Sequence, residues 1–148
     1  MKPTTLSLVA AAIVALAGSV GAALSQGMPL QYLFLDAGVI AKLVMMLTLV
    51  ALAVIVVAGL SSRGAGSTLR IMGLLALLLS VAGFALSVMS IVGGIRAVGS
   101  TPSFGVLAPS IAEALLVLGL GLLTAAVAAV LGDHSRTGGQ AAASSPAE

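Results

Sequence analysis

Charge is scarce in this chain. Ten of its 148 residues are charged, 7%, against 60% that are hydrophobic. A soluble domain of this length has no means to hide so much apolar surface. Cysteine and tryptophan are absent and histidine occurs once. Without cysteine there are no disulfides and no thiolate metal sites, and the redox compartment is unreadable. His134 has no companion ligands, so no metal site is expected. The net charge of +2 comes from too few groups to imply a nucleic-acid surface. No Gly-rich phosphate loop, nucleophile–base set or pair of catalytic carboxylates occurs. An enzyme is therefore not expected, and no cofactor is implied.

What the chain does have is long uncharged runs. They extend from Leu6 to Leu24, from Leu43 to Leu60, from Ile71 to Ile95, and from Leu107 to Leu131 with one acid, Glu113, near the start. Runs of this length predict transmembrane helices. The second helix is expected to begin near Leu33 and to carry Asp36 and Lys42 in its opening turns. The runs are too long, and alternate too little, for barrel strands. The expected class is an all-α integral membrane protein, a bundle of four transmembrane helices. The linkers SQGMPLQ, SSRGAGSTLR and RAVGSTPSFGV have loop composition, and Pro109 suits a first helical turn. The small, polar stretch at 133–148 reads as a disordered tail.

Positive residues orient the spans. Lys2, Arg63, Arg70 and Arg136 fall on one side; Arg96 falls on the other, and Lys42 lies toward that second face. The bias places both termini in the cytoplasm. Tyr32, Phe34 and Phe104 then sit at the outer interface, with Asp36, Lys42 and Arg96 as further interfacial anchors. Residues 1–26 carry two readings. Lys2 followed by ALAGSVGAA suits a signal peptide cut after Ala17 or Ala23. The 19 uncharged residues from Leu6 to Leu24 suit a retained helix, with Ala11, Ala15, Ser19 and Ala23 as its packing face.

Two faces stand out. In the third helix Ala76, Ser80, Gly83, Ser87, Ser90 and Gly94 follow steps of 4, 3, 4, 3, 4. They form one stripe, suited to close packing or to a narrow polar seam. In the fourth, Gly121, Ala125 and Ala129 form a small-residue line, and Thr124 lies about 20° round and about 16 Å along from Glu113. An acid in a membrane helix is a functional-site candidate. The plainer reading is a first-turn carboxylate favoured by the helix dipole and wetted at the interface. Arg96 is a candidate partner for it.

The segment VLAPSIAEALLVLGLGLL resembles the third core helix of the MotA/TolQ/ExbB proton-channel family, especially its TolQ/ExbB branch. LFLDAGVIAKLVMM resembles the first core helix, and GFALSVMSIVGGI is similar in layout to the second. The resemblance covers about residues 33–132 and implies a three-helix TolQ/ExbB-like core. Glu113 falls on the family's glutamate and Gly83 on the glycine before the second-helix threonine. By resemblance the chain forms a homo-oligomeric ring (a pentamer in the family) in the bacterial inner membrane. The ring surrounds a single-span TolR/ExbD-like partner with a membrane Asp. Proton flow there drives force or transport across the envelope, along the third and fourth helices.

Phe84 and Leu118 stand where the family's two threonines are usual. Ser80, Ser87 and Thr124 are candidate substitutes for those hydroxyls, with Gly83, Gly94, Gly121 and Ala125 as packing positions. The family's large cytoplasmic insertion is missing, and the helix at Leu6–Leu24 is additional. Two further readings stay open: a non-conducting scaffold of the same fold, and a small proton-coupled exporter carrying its proton on Glu113.

Overall fold

The computed structural model describes residues 3–25, 27, 37–61, 66–99 and 102–143, with position 98 and the stretch 135–143 as backbone only. All of its regular structure is helical: α1 (Pro3–Leu24), α2 (Val39–Ser61), α3 (Gly66–Val98) and α4 (Phe104–Ala143). Each is long and apolar enough to cross a membrane. The expected class is thus met at the level of an all-helical chain with four helices of spanning length and composition. Tyr32, Phe34 and Asp36 lie outside the described residues.

The helices run alternately up and down. Ala23 of α1 packs with Ala112 of α4, and Ala37 just before α2 and Ala41 within it pack with Val117, at one end of the bundle. Ile55 of α2, Leu69 of α3 and Ala128 of α4 meet toward the other end. The central helix is α4. It packs against all three others, while α2 packs also on α3. Within its most apolar window 44% of residues are buried, against 22% in each other helix. No residue from Leu107 to Asp133 is exposed.

The packing is built on small residues, as expected where lipid supplies no hydrophobic drive between helices. A β-carbon placed on Gly73 of α3 would lie 2.5 Å from Ala128 Cβ. One placed on Gly119 of α4 would lie 2.8 Å from Leu16 of α1, and one on Gly121 would overlap the Ser80 side chain. The α1 face is confirmed with one shift: Ala12, Ala15, Ser19 and Ala23 are buried, whereas Ala11 is exposed. Steps of 3, 4, 4 follow the helical period more closely than three steps of four.

Two sequence expectations about α4 are corrected. The helix begins at Phe104, so Pro109 lies in its second turn, one turn later than expected. Gly105 therefore loses the amide that its carbonyl would accept from. The helix also continues through Asp133 to Ala143, where a disordered tail was expected. Extending an existing helix fixes one residue per added bond, so a weak helix-forming sequence can follow a strong one. The exit is held as well: Arg70 of α3 is ion-paired with Asp133. A β-carbon on Gly132 would come 2.9 Å from the Gly66 carbonyl oxygen.

Candidate functional site

Glu113 stands in the third turn of α4, half-buried, facing the start of α2. Gly38 is the residue before α2, and its carbonyl accepts from Lys42 N–H at 2.9 Å, the first bond of that helix. Its own N–H donates to Glu113 Oε1 at 3.2 Å. The carboxylate thus meets one of the orphan amides at a helix N-terminus, where the macrodipole favours negative charge. The Lys42 ammonium, one turn into α2, also acts electrostatically on this carboxylate. Lys42 is half-buried, while Arg96, the partner expected from sequence, is exposed at the end of α3 and does not line the site.

Beside Glu113 lies a cavity of about 610 Å³ between the ends of α2, α3 and α4. Its polar lining comes from Glu113, Ser87, Ser90 and Ser110. Its apolar walls include Ile40, Leu86, Ile91 and Ile95. This is the usual composition of a small-ligand or ion vestibule, mostly apolar with few convergent polar groups.

The small-residue stripe of α3 divides at this cavity. Ala76, Ser80 and Gly83 are buried against neighbours; Ser87 is half-buried, and Ser90 and Gly94 are open to the cavity. Gly94 has nothing within 4 Å of a β-carbon placed on it, so it is a cavity wall and not the packing contact expected. Gly83 is a packing position: a β-carbon there would lie 3.1 Å from both Val44 and Val117. Gly121 packs on Ser80, and Ala125 on Gly73.

Below those valines lies a second polar group. Ser80 Oγ and Thr48 Oγ1 are 3.3 Å apart, and the Thr48 hydroxyl donates to the Val44 carbonyl at 2.7 Å. Ser80 is therefore the donor of the pair. Thr124 is fully buried, and its hydroxyl donates to Leu120 O at 2.8 Å within its own helix. Ser80 and Ser87 are two turns apart, about 10 Å, with the Val44–Gly83–Val117 contact between them. The polar groups expected to form one path are two islands: an open one around Glu113 and a closed one around Ser80. Phe84 and Leu118 are half-buried and do not line the cavity.

Sequence reasoning missed Ser110, Gly38 and Thr48. Ser110 lies three residues before Glu113, a spacing that places both on one face. Thr48 continues the 41, 45, 48 line of α2. Gly38 acts through its backbone, which no side-chain pattern reveals. Replacing Thr48 by valine is expected to destabilise the bundle by about 0.6 kcal/mol, the average for hydrogen bonds between membrane helices. Thermal melting in detergent measures this.

Among the described residues no cluster of three or more acidic, histidine or cysteine side chains is placed to hold a metal. No protein-family model matches the chain, and no curated protein or solved structure matches it.

Proposed function

We propose that this chain is a proton-conducting subunit of the MotA/TolQ/ExbB type. It would sit in a bacterial inner membrane with both termini cytoplasmic and work with a single-span partner carrying a membrane Asp. The observation that carries this reading is Glu113: a carboxylate on a helix of spanning length, set at an open cavity with three serine hydroxyls. A group of this kind in a membrane exchanges protons or pairs with a partner, and is otherwise costly to keep. The resemblance of residues 106–123 to the family's third core helix supports the same reading. Glu113 takes the proton from the cavity, and Ser87, Ser90 and Ser110 hold the water that delivers it.

The non-conducting scaffold is favoured by one specific observation. Val44 and Val117 close on Gly83 between the two polar islands, and Phe84 and Leu118 supply no hydroxyl there. Conduction by this path requires the valine contact to part when subunits or a partner assemble. The deciding experiment is proton uptake into proteoliposomes holding the chain alone and with any single-span protein that co-purifies with it. Glu113-dependent uptake in either preparation supports conduction. Stable oligomers with no uptake in both identify the scaffold.

A further inference from the structure

The end of the bundle away from Glu113 holds a second hollow, of about 220 Å³, between α1 and α3 over α4. Its lining changes character in the same order on all three helices. On α1, Thr4 and Thr5 come first and Leu8 one turn deeper. On α3, Arg70 precedes Leu74 and Leu77. On α4, Asp133 lies at the end, with Ala129 and Ala125 one and two turns farther in. Each helix therefore presents a polar rim and an apolar interior, and Ala125 and Ala129 leave room that larger side chains would fill. Leu74 is 59% exposed, so the hollow opens sideways, toward the lipid around the bundle.

The rim carries a cation that is not used up. Arg70 pairs with Asp133 through one amino group, and its side chain keeps 32% exposure. A guanidinium has several N–H donors in a planar fork, so one carboxylate contact leaves others for a second anion. In the sequence Lys2 precedes α1, Arg63 follows α2 and Arg136 comes three residues after Asp133, an excess of positive charge. Basic pockets between transmembrane helices suit anionic lipid headgroups.

We infer that this hollow is a binding site for an anionic phospholipid. The phosphate sits between Arg70 and the Thr4 and Thr5 hydroxyls, and one acyl chain lies along Leu8, Leu77 and Ala129. The inference does not depend on proton conduction at Glu113.

The test is lipid retention by the full chain in nanodiscs of phosphatidylcholine with increasing phosphatidylglycerol, read by native mass spectrometry of the released protein. The wild type is expected to hold phosphatidylglycerol with roughly fivefold preference, the equivalent of about 1 kcal/mol from one basic group. The double variant Arg70→Gln, Asp133→Asn removes both charges with little change of shape and is expected to bring the two lipids to parity. Ala129→Leu fills the apolar part and is expected to lose the retained lipid while keeping its melting temperature. Equal retention of both lipids by the wild type overturns the inference. So does a preference that persists in the double variant. Should Ala129→Leu fail to fold, the double variant decides alone. Glycerol phosphate added without acyl chains is expected not to displace the lipid; displacement would reduce the site to a phosphate contact and overturn the acyl-chain assignment.

Discussion

Glu113→Gln is expected to reduce proton flux through reconstituted protein by at least about a hundredfold, the scale of a positioned proton-transfer group. The substitution removes the titrating function and little else. Glutamine keeps a side-chain oxygen able to accept from Gly38 N–H, the one hydrogen bond described for this carboxylate. It also removes a charge that a membrane helix carries at a cost. The bundle should therefore melt within about 1 kcal/mol of the wild type, a range typical of substitutions that break no packing. Flux and stability are thereby separated, which few changes in so small a bundle allow. Glu113→Asp keeps the charge but shortens the reach to α2, and an intermediate flux is expected. Wild-type flux from a well-assembled Glu113→Gln protein would leave the carboxylate a structural role at the start of α2, through Gly38 N–H and the Lys42 ammonium.

The two islands sharpen what conduction demands. The Glu113 island opens to the outside of the bundle, and the Thr48–Ser80 island is sealed inside it. Between them Gly83 is gripped by Val44 and Val117. No residue of α4 from Leu107 to Asp133 is exposed, so a passage that continues along this helix beyond the Glu113 cavity needs a neighbouring helix to move. Assembly with other chains is the natural cause of such movement. An isolated chain is then expected to be closed.

Spans, class and the candidate acid were legible in the sequence because hydrophobic length and a lone charge do not depend on neighbours. The α3 stripe was legible as a face, but not as two halves. Helical phase places Ser80 and Ser90 on the same side, and only the extent of α4 and α2 decides which is covered. Gly94 was misread for that reason: its small size leaves a cavity wall, where Gly121 leaves a contact. Arg96 looked like the nearest cation to Glu113 along the chain, yet Lys42 acts on the carboxylate because α2 docks at that point. The end of α4 was read as a tail because Gly, Ser and Thr mark loops when nothing precedes them. Here a long helix precedes them.

Gly121→Ala is expected to be the most damaging single-methyl change in the molecule, at about 1–3 kcal/mol, the range for overpacking a close contact. The added carbon would overlap the Ser80 side chain, with the Ala76 carbonyl oxygen 3.4 Å away. Rotating the Ser80 hydroxyl gives no relief, because the atom nearest the added carbon is Ser80 Cβ, which that rotation leaves in place. Only a shift of α3 against α4 relieves the overlap, and it strains the fit of Gly73 on Ala128, so the cost is felt along the α3–α4 seam. Gly93→Ala, at an exposed position of α3, supplies the control. Nothing lies within 4 Å of a β-carbon there, and alanine's better helix propensity predicts no loss and up to about 1 kcal/mol of gain. The two glycines are indistinguishable by composition, and their opposite outcomes in thermal melts test the packing directly. The double variant Gly121→Ala, Ser80→Gly moves the missing carbon to the other helix. It should recover most of the stability lost by Gly121→Ala, short of the about 0.6 kcal/mol that the Ser80–Thr48 hydrogen bond contributes. Additive losses in that double variant would show that α3 and α4 do not meet at these residues.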